Sequence, residues 1–195
     1  MFTFDISTDD KTDQHLWMRI RKGDELSYTL LFERYHKTLY NYGRKLTSNS
    51  AIVEDAVQDV FIDIWRLRHN LSEHVISVKF YLYRSLRRRI HIAQDKFPLT
   101  EEITAMDDHE LPLSVFNSEK TLIEIESTFM MATKIRNMVS ELPERQIEAL
   151  TLRYFEEFTI DEIALIMGVT AKSVRNLVYK AFTSLRQNRQ VLLLV

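Results

Sequence analysis

The segment from residue 159 to residue 186 constrains this 195-residue chain most, because two helical patterns there flank a single glycine. Each pattern repeats apolar residues at the three- and four-residue spacing of a buried helix face. The apolar positions are Ile160, Ile163, Ala164 and Met167 in the first pattern, and Val174, Leu177, Val178, Ala181 and Leu185 in the second. Gly168 can take the positive φ of a helix end, and Thr159 with Glu162 fits a capping box. Helix, glycine turn and helix in this order predict a helix-turn-helix.

The second of these helices carries polar and basic residues off its apolar face. Side chains of these types donate hydrogen bonds to phosphates and to base edges in the DNA major groove. The alternative is an ordinary helical hairpin with a solvated face, but the capping box, the turn and the one-sided charge together favour DNA binding. The candidate DNA-reading residues are Lys172, Ser173, Arg175, Asn176, Tyr179 and Lys180.

Composition favours long helices and few tight turns, because the chain has only three glycines and three prolines. It has no cysteine, which excludes disulfides, thiolate metal sites and a cysteine nucleophile and fits a cytoplasmic location. No apolar run approaches the roughly 18 residues of a membrane span, and the acidic N-terminus does not resemble a signal peptide. We therefore expect an all-α protein without membrane insertion.

The net charge of −2 hides an uneven distribution. Residues 1–95 hold 15 basic and 13 acidic residues (+2), residues 96–133 hold 2 and 8 (−6), and residues 134–195 hold 9 and 7 (+2). The stretches 78–94 and 168–195 each contain five basic residues and no acidic one. The sequence thus predicts two small helical domains, at 1–95 and 119–195, joined by an acidic flexible linker at 96–118.

The helix predicted from Asn49 to Arg66 combines an apolar face with acidic side chains. Its apolar face comprises Val53, Ala56, Val57, Val60, Phe61 and Ile64. Polar residues off that face are Asp55, Gln58, Asp59 and Asp63. A solvated face is the ordinary interpretation. The functional interpretation is a docking surface for a basic partner, since carboxylates four residues apart repel each other mildly.

A second basic and aromatic helix is predicted from about Val78 to Ala93. Aromatic rings can stack on unpaired bases while arginines hold phosphates, although some of these rings could simply belong to the core. Leu82, Leu86, Ile90 and Ala93 remain for the apolar face. The candidate residues, with the preceding tryptophan, are Trp65, Lys79, Phe80, Tyr81, Tyr83, Arg84, Arg87 and Arg88.

No catalytic or metal-binding arrangement is present in the sequence. The six histidines are scattered, without carboxylates at metal-ligand spacing, and no phosphate-loop, dinucleotide-binding or nucleophile-elbow motif occurs. We therefore expect no enzyme activity, no catalytic residues, no cofactor and no metal.

Four segments together resemble bacterial sigma factors of the extracytoplasmic-function type. They are GDELSYTLLFERYHKTLYNYG from Gly23, VEDAVQDVFIDIWRLR from Val53, KFYLYRSLRRR from Lys79, and LPERQIEALTLRYFEEFTIDEIALIMGVTAKSVRNLVYKAFTSLR from Leu142. Their order and spacing match the family over nearly the whole chain apart from its first ten residues and the linker. The phrase SVRNLVYKA looks especially like the forms found in Bacteroidetes.

This resemblance implies a transcription initiation factor that binds core RNA polymerase and promoter DNA. The acidic helix would match the surface that docks on polymerase. The basic-aromatic helix and the loop before it, residues 68–78, would match the part that opens and reads the −10 element. The helix from Ala171 would match the reader of the −35 element, and an anti-sigma factor would be a further partner.

One position departs from the family pattern, and two other function classes stay open. The family usually has asparagine where this chain has Arg88, which keeps a phosphate contact but changes any base contact of an amide. The first alternative is a stand-alone dimeric helix-turn-helix regulator, which would bind a palindrome without polymerase. The second is a protein-interaction module whose basic surfaces serve only acidic partners.

Overall fold

The structure, a computed structural model, describes residues 12–73, 75, 77–96, 139 and 141–192. Its α-helices are α1 (Asp13–Arg21), α2 (Glu25–Gly43), α3 (Ser50–Arg66), α4 (Val78–Lys96), α5 (Glu144–Leu150), α6 (Ile160–Met167) and α7 (Ala171–Leu192). Over these ranges all regular secondary structure is helical, which confirms the all-α prediction. The predicted linker beyond Lys96 and residues 119–138 of the predicted C-terminal domain lie outside the described residues.

Helices α1 to α4 form an N-terminal bundle around one apolar core. Side-chain caps start three of these helices, because Thr12, Asp24 and Asn49 each accept a hydrogen bond from a backbone N–H of the first turn. The six apolar residues predicted to form one face of α3 are all buried. Gly43 lets α2 approach α3 and α4 closely, since a Cβ there would lie 2.6 Å from Val53 and 3.1 Å from Ile90.

Helices α5 to α7 form the C-terminal unit, and α6 and α7 are the predicted helix-turn-helix. The capping box of Thr159 and Glu162 is present. Gly168 ends α6 in the left-handed region with φ 66°. In front of them, Pro143 is the N-cap of α5, and the α-helix gives way after Leu150 to a π-helical turn, Thr151–Phe155.

The two units are in direct contact, which the sequence did not predict. The apolar core of the N-terminal bundle continues into the C-terminal unit through residues such as Leu152, Phe158 and Ile163. Helix α4 packs against α6 across this contact. The basic-aromatic helix therefore lies between the N-terminal core on one side and the C-terminal unit on the other.

Candidate nucleic-acid interface

The predicted reading face of α7 is open to solvent. Five of the six predicted side chains are exposed, and Ser173 is half-buried. Tyr179 is the most exposed large hydrophobic residue described, at 72%. The opposite side of α7 anchors the helix, because Val174 and Ala181 are completely buried. The helix thus presents one basic, aromatic and amide-bearing face outwards, as a major-groove reader requires.

The turn before α7 fixes where that face points. The Val169 N–H donates to the Ala164 carbonyl oxygen at 3.0 Å, which closes the end of α6. The Thr170 hydroxyl oxygen accepts from the Ser173 N–H at 3.1 Å and caps α7. These contacts satisfy backbone groups that a helix end would otherwise leave unpaired, so the angle between the two helices is set locally.

Helix α4 has a core row and an open row. Leu82, Leu86 and Ile90 form the core row and are fully buried, as predicted. Arg84 and Arg88 lie on another side and are exposed, with the half-buried Phe80 on the same row. Residues four apart share a helix face, so these three side chains form one continuous strip available to a phosphate backbone.

A third row of α4 points at the C-terminal unit. The Lys79 ammonium lies 3.0 Å from a carboxylate oxygen of Glu156, and Arg87 Nε lies 2.7 Å from Oε1 of Glu148. Tyr83 lies between them, fully buried, with its ring 5.2 Å from that of Phe158. Burial, and then the negative charge of Glu156, raise the pKa of Tyr83. In this arrangement these three predicted −10 residues bind protein.

The fourth side of α4 supports the bundle. Tyr81 is half-buried and packs edge-on against Trp17, with ring centroids 5.1 Å apart. Arg89 pairs with Asp59 of α3 at 2.9 Å and also contacts Asp63. The predicted acidic surface thus has a basic partner within the chain for two of its four residues, while Asp55 and Gln58 are exposed.

The loop between α3 and α4 is held to α1 by side chains that the sequence did not single out. Trp17 Nε1 donates to the Ser72 carbonyl oxygen at 3.0 Å, and Arg21 Nε donates to that of Leu71 at 2.9 Å. Gln14 donates to the Val75 carbonyl oxygen at 3.0 Å. The sequence shows that residue 17 is a tryptophan, with a large apolar ring and one N–H donor, but not which distant carbonyl that N–H meets.

Trp65, at the end of α3, lies beside the start of this loop. It is half-buried, its ring is 5.1 Å from that of Tyr28, and the Arg68 guanidinium lies over it at 4.6 Å. The ring therefore contacts Tyr28 and Arg68 while part of the side chain stays open to solvent.

Two further properties concern only the described residues. No group of three or more histidine, cysteine, aspartate or glutamate side chains is arranged there to hold a metal ion. Among those same residues, no helix is both long and apolar enough to cross a membrane.

The chain thus has two candidate nucleic-acid surfaces, a helix-turn-helix with an open basic face and a second basic-aromatic helix. Family models match both parts: Sigma-70 region 2 matches residues 31–93, and Sigma-70 region 4 matches residues 132–185. The chain is 31% identical over 182 residues to the ECF RNA polymerase sigma-E factor of Escherichia coli strain K12, covering 87% of this chain and 90% of that protein. The chain therefore belongs to the ECF RNA polymerase sigma factors, which confirms the predicted resemblance.

Other comparisons agree with this assignment. The RNA polymerase sigma-H factor of Pseudomonas aeruginosa is 27% identical, over 93% of this chain and 95% of that protein. CnrH in complex with the cytosolic domain of CnrY has a similar fold, with a TM-score of 0.58 at 16% identity, covering 92% of this chain and 97% of that one. These findings do not favour the stand-alone dimeric regulator. The likeness to Bacteroidetes forms is not tested by them and stays a prediction.

Proposed function

We propose that this chain is a transcription initiation factor that binds core RNA polymerase and directs it to promoters by reading a −10 and a −35 element. The observation that carries the proposal is that one chain holds both a region-2 and a region-4 unit, in that order. Each DNA contact alone can be weak, because tethering two readers on one polymerase makes the second contact effectively intramolecular.

The −35 element would be read by the exposed face of α7. Arg175 and Lys172 can donate to guanine edges or phosphates, and Asn176 can pair with adenine. Their exposure supports this role, since no rearrangement of the C-terminal unit is needed to reach DNA. Ser173, Tyr179 and Lys180 complete the proposed contact surface.

The −10 element would be opened and read by α4 and the loop before it. Arg84 and Arg88 can hold the backbone of the separated strand, and Phe80, Tyr81 and Trp65 offer aromatic faces to unstacked bases. Capturing a base in this way offsets an unstacking cost of a few kcal/mol. The hydrogen bonds from α1 to the loop support this role, because they hold the loop in place before DNA binds.

Core polymerase would dock on the exposed side of α3. Asp55 and Gln58 are exposed, and Asp59 and Asp63 extend the same side towards the end of the helix. Exposed apolar side chains, Leu26 at 56% and Ile62 at 53%, lie on α2 and α3 and would add buried area. A mixed acidic and apolar surface suits a basic helical partner.

Further partners and the cellular location follow from this role. Solved structures of similar fold include the sigma factor RpoE bound to the anti-sigma factor NepR from Bartonella quintana, at a TM-score of 0.55. By analogy, we propose that an anti-sigma factor also binds the present chain. Initiation requires no bond chemistry from the factor itself, so the proposal assigns it no enzyme activity and places it in the cytoplasm with polymerase.

Run-off transcription tests the proposal. Purified bacterial core polymerase is incubated with genomic upstream fragments, with and without the chain. Discrete transcripts should appear only with the chain, and they should be lost when Asp55 and Gln58 are both changed to alanine. Asp95→Ala, which removes an exposed carboxylate at the end of α4, is the control and should leave them unchanged. Absence of transcripts and of co-elution with core would overturn the proposal.

A further inference from the structure

The C-terminal unit covers the row of α4 formed by Lys79, Tyr83 and Arg87. Lys79 Nζ donates to the Glu156 carbonyl oxygen at 2.9 Å in addition to its ion pair with that side chain. The same ammonium lies 5.3 Å from the ring centroid of Phe158. Three residues at four-residue intervals on one helix thus all meet the same partner surface.

Glu148 makes this contact specific. Glu148 is 3% exposed, and its Oε1 atom accepts hydrogen bonds from Tyr42 Oη at 2.9 Å and from Arg87 Nε at 2.7 Å. These donors come from α2 and α4, so one carboxylate of α5 joins two helices of the N-terminal bundle. A buried charge is tolerated only with well-placed partners, and a shift of α5 away from the bundle would leave this one unpaired.

Apolar packing surrounds these polar contacts. Phe158 is 4% exposed and its ring meets that of Tyr83 edge-on, while Tyr83 is tilted against Tyr42 with 5.0 Å between centroids. The contact between the two units therefore combines a continuous apolar core with a buried ion pair. This composition is that of a specific interface and not of a non-specific contact.

We propose that in the free chain the C-terminal unit is an intramolecular lock on α4, and that this closed arrangement competes with −10 DNA for Lys79, Tyr83 and Arg87. The inference rests on the proposed function, in which α4 opens and reads the −10 element, and on the sequence analysis, which places these three residues among the candidates for that role. The open face of α7 lies outside the lock, so closure covers one row of α4 and leaves the reading face of α7 free. Opening on polymerase would then release the −10 reader only where it is needed.

The closed arrangement can be measured by pulsed electron paramagnetic resonance. The chain has no cysteine, so Lys37→Cys and Gln187→Cys introduce two unique labelling sites, exposed in α2 and α7. We expect one narrow distance distribution in the free chain and a broad, longer one after Glu148→Arg. Glu144→Arg, one turn earlier on α5 and exposed, makes the same charge change and should leave the narrow distribution intact. A broad distribution in the parent chain would overturn the lock.

Binding to single-stranded DNA tests the competition. The probe is a fluorescent 12-mer carrying the non-template −10 strand of a promoter recovered by run-off transcription. Because the apparent affinity of a closed reader is reduced by its open fraction, Glu148→Arg should bind about tenfold more tightly than the parent. Glu144→Arg controls for the added positive charge. An equal gain in both variants would show that charge alone acts and would refute competition.

A milder variant covers the possibility that Glu148→Arg unfolds the C-terminal unit. Glu148→Gln combined with Glu156→Gln removes both carboxylate charges but keeps side-chain shape, and should give a smaller gain in the same direction. Affinity for a −35 duplex should stay constant, which also reports that the helix-turn-helix is folded. Unchanged −10 affinity in a folded double variant would refute the lock.

The outcomes separate this inference from the proposed function. A narrow distance distribution in a chain that yields no transcripts with polymerase would leave the closed arrangement standing and remove the initiation function. Transcripts from a chain with a broad distance distribution would support the initiation function and remove the closed arrangement.

Discussion

Two helices of this chain carry similar basic and aromatic side chains but differ in what surrounds them. Helix α7 has one buried side and one open side, and the six predicted DNA-reading residues share the open side. Helix α4 is surrounded on more sides, and its predicted residues are divided among solvent, the bundle and the C-terminal unit. Side-chain chemistry therefore suggests what a helix can bind, while tertiary contacts determine which of its residues are available.

This difference has a thermodynamic consequence for the two proposed readers. DNA can reach Arg175 on α7 without breaking any protein contact described above, whereas reaching Arg87 on α4 requires breaking its ion pair with Glu148. The −10 reader is thus coupled to the position of the C-terminal unit, and the −35 reader is not. Variants that affect one helix and spare the other test this asymmetry.

The largest effect is expected at Arg87. Its side chain is 12% exposed and that of Glu148 only 4%, so Arg87→Ala leaves a buried carboxylate without its cationic partner. Breaking such a pair should lower the free energy of unfolding by about 3–5 kcal/mol. Urea denaturation followed by circular dichroism measures this loss.

Arg84→Ala is the matched control for that measurement, because Arg84 is an exposed arginine of the same helix. Its cost should stay below about 0.5 kcal/mol, the usual range for surface substitutions. Equal costs for the two variants would contradict the division of α4 into an open and a covered row.

The next effect concerns DNA recognition by α7. Arg175→Ala should weaken binding to the −35 duplex by about 1–3 kcal/mol if Arg175 meets a guanine through two hydrogen bonds. Discrimination against a substituted base should then relax at one position of the element. Arg186→Ala, exposed further along the same helix, is the control and should not alter base preference. A loss equal for every sequence, with a reduced salt dependence, would assign Arg175 to phosphate instead.

Much of the fold was predictable, because local chemistry determines it. In the Thr159 capping box, the left-handed Gly168 and the six-residue apolar face of α3, each residue lies within about one helical turn of the next. The open face of α7 followed from the same periodicity. Local spacing identifies a buried face whenever only one neighbour covers the helix.

The lock between the units was not predictable in this way. Tyr42, Arg87 and Glu148 are separated by tens of residues, and none has a local pattern that distinguishes it from a solvated side chain. Periodicity correctly placed Leu82, Leu86 and Ile90 in the core, but Tyr83 is buried on an adjacent side by a different unit. Long-range contacts between polar groups leave no periodic signal in the sequence.

A smaller effect is expected where the helix-turn-helix begins. Thr159→Ala removes the hydroxyl that accepts from the Glu162 N–H and should cost about 1 kcal/mol in the free energy of unfolding. Thr183→Ala is the control, because that hydroxyl only bonds back to the Tyr179 carbonyl oxygen within α7 and alanine is a good helix former. Urea denaturation measures the free energy of unfolding of both variants. A larger loss in Thr183→Ala than in Thr159→Ala would contradict the claim that the Thr159 cap stabilises the start of the helix-turn-helix.

The smallest effect is a pH dependence at the edge of the lock. His91 is an exposed residue of α4, and the charges that act on it are those of Arg87 and Asp95 on α4 and of Arg145 and Glu148 on α5. Partial burial of its ring, and then the charge of Arg87, lower its pKa from 6.5. The folded chain therefore binds a proton at His91 less readily than the unfolded chain. Stability from this group is complete above pH 6.5 and declines as pH falls through 6.5 towards the lowered value. His91→Gln should flatten the fall in unfolding free energy between about pH 7.5 and 5.5, a range centred on the ordinary histidine pKa. A fall of the same steepness in His91→Gln would show that a group other than His91 causes the pH dependence.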